Sequence, residues 1–202
     1  MKKCLIMVLV SIGLAGMGSA QAAGDVAAGK ARSAVCMACH GPGGNSLNPM
    51  WPKLAGQHPN YIVKQLKAFK AGKRYDPVMA PMAIALDEKA MADLGAYYST
   101  EKRTAGAAAP NAQQGMQIYY SGITAKGVPA CSACHGAEGY GNPGADFPNI
   151  ASQQALYISK ALKDYRDKKR TTDPGGVMQA VAAELTDAEI AAVAQFVQSL
   201  KP

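Results

Sequence analysis

Past Met17 the chain holds no apolar run near the ~20 residues a membrane-crossing helix needs, which excludes the body of the sequence as a bilayer span. Thiols and imidazoles are scarce, with five cysteines and three histidines in 202 residues. Strand-like alternation of apolar and polar residues is missing, so no convincing β-strand is expected. A heavy excess of one charge is missing too. Of the 21 basic residues, Lys2 and Lys3 belong to the leader described next, leaving 19 against 14 acidic ones.

The chain opens Met1-Lys2-Lys3, runs apolar from Cys4 to Met17, and continues Gly18-Ser19-Ala20-Gln21-Ala22-Ala23. A basic start, a short apolar run and a small-residue A-x-A site describe a signal peptide over residues 1–22, cut before Ala23 and directing export to the periplasm. Cys4 stands at the start of the apolar run, the wrong place for a lipid-modified cysteine. Its removal leaves four cysteines, all inside one repeated motif. No thiol then remains for a nucleophile, and the two disulfides that four cysteines in an exported chain would suggest are set aside by the histidine that follows each pair.

That motif is Cys36-Met37-Ala38-Cys39-His40, repeated as Cys131-Ser132-Ala133-Cys134-His135. C-x-x-C-H is the attachment site of a c-type haem: each thiol adds to a haem vinyl group and the histidine takes an axial position on the iron. Two copies predict two covalently bound haem c groups, with His40 and His135 as iron ligands and Cys36, Cys39, Cys131 and Cys134 as attachment points. Two propionates per haem would offset most of the basic surplus, so nucleic acid is not an expected partner. A zinc module is disfavoured because no further Cys/His ligands follow.

The whole chain reads as a tandem duplication. Trp51-Pro52-Lys53-Leu54-Ala55-Gly56-Gln57 is matched by Phe147-Pro148-Asn149-Ile150-Ala151-Ser152-Gln153, Tyr61-Ile62 by Tyr157-Ile158, and Arg74 by Arg170. A repeat this long is a whole small domain rather than a solenoid unit. The expected division is a first domain over 23–103, a linker over 104–112 and a second domain over 113–202. Each half is read as all-α: helices over Val26–Val35 and Gln113–Tyr120, over Asn60–Ala71 and Ala155–Lys168, then a last helix capped by Asp87 or by Thr186. Thr186-Asp187-Ala188-Glu189 has the form of a capping box.

The sixth iron position separates electron transfer from catalysis, because an open site admits peroxide or a gas whereas a thioether closes it and raises the potential. Met79 precedes Leu86 by seven residues and Met178 precedes Leu185 by seven, which pairs Met79 with Met178 and leaves Met82 opposite Val181. Met79 and Met178 are the candidate ligands; Met82, Met91, Met37 and Met50 read as core filler. His58 faces Gln154 in the repeat and reads as a surface residue, so ligation by two histidines lacks candidates. Pro52 and Pro148 offer backbone carbonyls to the haem histidines. Arg74 and Arg170 are candidates for pairing with propionates. The Lys64, Lys67, Lys70, Lys73 run and its counterpart read chiefly as solvated helix face. Residues 23–106 carry 11 basic and 6 acidic residues and 107–202 carry 8 of each, so the two ends are expected to favour different partners.

Taken together, the leader, the start Ala23-Gly24-Asp25, the two C-x-x-C-H units, the paired [WF]-P-x-[LI]-A-x-Q segments and the paired late methionines resemble the dihaem cytochrome c4 family along the whole mature chain. The resemblance implies two tandem cytochrome c-like domains related by a pseudo-twofold axis, with haem edges close together. It also implies ligation by His40 with Met79 and His135 with Met178, and Pro52 and Pro148 behind the histidines. Such proteins are similar in role: periplasmic carriers, not enzymes, that take electrons from a respiratory donor such as a bc1-type complex towards a terminal oxidase, with peripheral membrane association open. The alternatives are a haem-bearing subunit of a larger complex or an enzyme, such as a dihaem peroxidase or a thiosulfate-oxidising cytochrome.

Overall fold

The computed structural model describes residues 24–109 and 112–202; the expected leader, its cleavage site and residues 110–111 of the expected linker lie outside the described residues. The first half forms α1 (Val26–Arg32), α2 (Met37–His40), α3 (Pro59–Lys70), α4 (Met79–Ile84) and α5 (Glu88–Thr100). The second repeats them as α6 (Gln113–Ser121), α7 (Ser132–His135), α8 (Ala155–Arg166), α9 (Val177–Ala183) and α10 (Asp187–Ser199). The fold is all-α; among the described residues only isolated β-bridges occur.

Local chemistry sets most of the boundaries. The Asp87 side chain accepts from Ala90 N–H at the start of α5, and Thr186 with Glu189 closes the expected capping box on α10. Ile62, Leu66 and Phe69 follow helical spacing on α3 and bury one stripe against α5. The expected helix over Val26–Val35 is shorter: α1 ends at Arg32 and a 3₁₀ turn, Ser33–Val35, follows. The helix expected to reach Lys168 stops at Arg166. Lys168 adopts φ +56°, where its repeat mate Gly72 has φ +69°. A side chain in this left-handed region costs roughly 1–2 kcal/mol. Lys168→Gly is therefore expected to raise the melting temperature of the second half by about 4–8 °C for each kcal/mol recovered, as read by thermal unfolding.

Two helix crossings fix the core of each half. α1 meets α5 at Gly29, where a Cβ would lie 2.0 Å from Asp93 O, and α6 meets α10 at Gly115, 2.1 Å from Ala192 O. The start of the described chain is tied to the same crossing: Asp25 N–H donates to the buried Asp93 carboxylate, which also pairs with Lys89. One apolar cluster centres on Leu66, Leu94 and Tyr98, the other on Leu162, Ile190 and Val197.

The halves join through a polar seam. Lys53 N–H donates to Gln153 Oε1 at 2.8 Å while Gln153 Nε2 donates to Lys53 O at 2.9 Å. Gln57 and Asn149 make the same exchange at 2.8 and 3.0 Å. Since 53 matches 149 and 57 matches 153 in the repeat, exchanging the halves turns one pair into the other, as a pseudo-twofold requires. An antiparallel bridge joins Arg74 to its own repeat mate, Arg170. The chain leaving the first half is held down as well. Arg103 donates to the carbonyls of Ala55, Asn149 and Ala151, and Lys53 Nζ donates to those of Thr104 and Ala105.

Candidate metal centres

Each C-x-x-C-H unit is a single helical turn. His40 N–H donates to Cys36 O at 2.9 Å and His135 N–H to Cys131 O at 2.9 Å. One turn sets the two cysteines of a unit, three residues apart, on the same face. The four sulfurs are free, each partly buried. Burial pushes the Cys36 thiol up and the Cys131 thiol to about 11. Redox-active C-x-x-C thiols are shifted the other way, so these pairs are not built for thiol chemistry of their own.

Both histidines are buried and backed. His40 Nδ1 lies 2.9 Å from Pro52 O and His135 Nδ1 lies 3.0 Å from Pro148 O. A carbonyl oxygen can only accept, so Nδ1 carries the proton and Nε2 keeps its lone pair. Burial lowers the pKa of both rings, keeping them neutral. A fixed, neutral imidazole with a free Nε2 is the form that binds a metal.

Met79 and Met178 lie in the first turns of α4 and α9, two short helices with no counterpart in the sequence reading. Asp76 accepts from the N–H groups of Val78 and Met79, and Asp173 accepts from Gln179 N–H, so an aspartate positions each helix start. Pro81 falls within the first turn of α4, where an N–H would lack an intrahelical partner anyway. Met79 and Met178 are half-buried against their core clusters, whereas Met82 is 41% exposed.

One continuous cavity, about 440 Å³ in its accessible part, brings these groups together. It is lined by both cysteine pairs, His40, His135, Met79, Met82 and Met178, with apolar walls that include Leu66, Phe69, Leu94, Leu162, Val193 and Val197. Among the described residues no cluster of three His, Cys, Asp or Glu is placed to hold a metal ion. A bare zinc ion would lack its four ligands here. An iron that brings its own equatorial ring needs only one donor on each face, and a flat apolar ring suits these walls. The residues fit haem.

The structure adds detail to two expectations. His58 is half-buried at the rim of the seam, which it spans to reach Tyr140 O at 2.9 Å. Arg74 and Arg170 line the cavity, as pairing with haem propionates would require, and neither is paired with a protein carboxylate among the described residues. Arg74 donates to Gln65 Oε1 at 2.7 Å and to Tyr157 Oη at 3.0 Å; Arg170 donates to Tyr61 Oη at 2.6 Å and to the same Gln65 oxygen at 3.1 Å. Gln65 had no signal in the sequence except that its repeat mate is Ala161. The lysine run is solvated and paired, Lys67 with Glu88 and Lys163 with Asp187, while Lys64 bridges to Asp146 of the other half.

The family model described as cytochrome c matches residues 26–102 and again 104–201. Cytochrome c4 of Thiocapsa roseopersicina is 51% identical over 180 residues, covering 88% of this chain and 93% of that protein. The crystal structure of reduced recombinant cytochrome c4 from Pseudomonas stutzeri superposes with a TM-score of 0.86 at 40% identity, covering 89% of this chain and all of that one. A thiosulfate dehydrogenase electron acceptor of Thiomonas intermedia is 40% identical over 185 residues, covering 87% of this chain and 84% of its own length. Two backed histidines on two matched haem-attachment turns are thus found in the setting where relatives carry the cytochrome c4 name, and the chain belongs to the cytochrome c4 family: a dihaem c-type electron-transfer protein with one covalently bound haem c in each half.

Proposed function

We propose that His40 with Met79, and His135 with Met178, close both faces of the two irons, while Cys36, Cys39, Cys131 and Cys134 hold the haems through thioethers. The observation that carries this reading is the cavity, in which each half presents one backed histidine, one cysteine pair and one matched methionine. When bound, haem iron exchanges a single electron reversibly. The protein's part is to keep both axial donors in place through that exchange. Pro52 O and Pro148 O fix the imidazoles, Asp76 and Asp173 fix the helices that carry the thioethers, and the apolar walls keep water from the metal.

With both faces closed there is no position for a substrate, which makes the protein a carrier rather than an enzyme. The expected leader supports a periplasmic location, with the protein as a mobile or peripherally membrane-associated link between a respiratory donor of the bc1 type and a terminal oxidase. No helix among the described residues is long and apolar enough to cross a membrane. The domain division at 104–112 goes with this reading, one haem to a domain. A second reading, acceptor of electrons from a thiosulfate-oxidising enzyme, rests on the 40% identical Thiomonas relative.

Carbon monoxide tests the main point. The purified protein should stain for haem, contain two haems per chain, and bind no carbon monoxide when reduced at neutral pH. Prompt binding by either haem would leave that iron open and turn the reading towards the enzyme. Reduction of the protein by a thiosulfate dehydrogenase but not by a bc1-type complex would select the second reading.

A further inference from the structure

Arg103 lies on the segment leaving α5, yet it grips both halves at related places. Its Nε donates to Ala55 O at 2.7 Å and its Nη1 donates to Ala151 O at 2.8 Å. Ala55 and Ala151 are repeat mates, each three residues past the proline whose carbonyl backs a haem histidine. Nη1 also reaches Asn149 O and Oδ1, both at 3.2 Å. Both loops are tied to their own half where it grips them, Ala55 N–H donating to Gly44 O and Ala151 N–H to Gly139 O. The residue at the corresponding place after α10 is Pro202, which carries no side-chain donor, so one guanidinium serves both loops. Arg103 is 4% exposed and does not line the haem cavity. Burial pushes its pKa down to about 10, which still leaves it charged at neutral pH.

We propose that Arg103 sets the spacing of the two irons, and with it the rate of electron exchange between them, by pinning the two histidine-backing loops to each other. The inference rests on the assignment of His40 and His135 as iron ligands. Pro52 O holds one imidazole and Pro148 O the other, so a shift of either loop carries an axial ligand with it. The exchange leaves one iron ferric as the other becomes ferrous, and its rate depends on how the two sites are placed. A guanidinium suits this task because its donors lie in a rigid planar fork, which fixes two acceptors relative to each other as a single ammonium does not. The exchanges at Gln57 and Gln153 join the same loops. They keep the halves together without Arg103, so its loss should loosen the spacing rather than part the domains. Arg103 is a positioning residue, acting through the loops of Pro52 and Pro148.

NMR exchange spectroscopy of the half-reduced dihaem protein tests this, the concentration-independent part of the rate being the exchange within one chain. Arg103→Lys keeps the charge and loses the fork; Arg103→Met loses both. Each is expected to slow the exchange about tenfold, since a displacement of about 1 Å made away from the reacting centres can cost up to about a hundredfold. Both midpoints should stay in place in Arg103→Lys. Both variants should keep two haems and the optical signature of methionine ligation, which a collapse of either half would not spare. A wild-type exchange rate in either variant overturns the proposal. So does a slowed Arg103→Lys whose midpoints have moved, because driving force would then account for the change. Should either variant fail to load haem, Lys53→Met is judged by the same rate: it frees the segment that carries Arg103 and leaves the backbone exchange with Gln153 intact. Irons without histidine ligation in the wild type would instead overturn the ligand assignment, whatever the variants do.

Discussion

Met178→Ala is expected to open the second iron, to let carbon monoxide bind one haem per chain, and to lower that haem's midpoint by on the order of hundreds of millivolts. Axial ligands tune haem potentials over about 0.8 V, and a neutral, soft thioether sits at the high end because it favours the ferrous iron. The second half has no spare donor in reach: Val181 stands where the first half has Met82, and Met116, on α6, does not line the cavity. The first half differs. Met82 lies three residues beyond Met79 on α4, on the same helix face, and lines the same cavity. Met79→Ala should therefore give a smaller fall, with Met82 as replacement, and the Met79→Ala/Met82→Ala double variant should match Met178→Ala. Spectra and midpoints of the three variants decide it. An unchanged midpoint in Met178→Ala would remove that residue from the coordination sphere.

The asymmetry between Met79 and Met178 was legible because it lies along the chain, and so was much else of that kind. The two C-x-x-C-H turns, the caps at Asp87 and Thr186 and the repeat itself are local patterns, readable from a few consecutive residues. The backing of His40 by Pro52 and of His135 by Pro148 spans 12 and 13 residues and was still within reach of a spacing argument. What escaped is long-range. Lys53 with Gln153 and His58 with Tyr140 are joined across 100 and 82 residues, and no local propensity records such a pairing. The repeat held a clue, since Lys53 matches Asn149 and Gln57 matches Gln153, each able to serve a twofold partner. Helices α4 and α9 were missed because six or seven residues are too few to show a helical period. Lys168 misled for a different reason. A lysine carries no stop signal, and only tertiary packing makes it take the backbone shape for which its mate uses glycine.

Gly115→Ala is expected to lower the melting temperature of the holoprotein by roughly 5–20 °C, although alanine is normally the better helix residue by up to about 1 kcal/mol. The sign is reversed by the crossing. A Cβ at 115 would sit 2.1 Å from Ala192 O and 2.7 Å from Ala192 C, both backbone atoms of α10, so no side chain can swing aside and a whole helix must move. Overpacking of this kind costs about 1–3 kcal/mol, and 1 kcal/mol is worth about 4–8 °C in a domain this small. Gly29→Ala should do the same to the first half, because its Cβ would meet Asp93 O at 2.0 Å. The Gly115 case carries a second signature. Val193 and Val197, on the helix that must shift, both wall the cavity. Displacing α10 should disturb the spectrum of the second haem and leave that of the first as it was. A Gly115→Ala protein that melts with the wild type would mean that the two helices cross with room to spare, and that the glycine there answers to something other than their closeness.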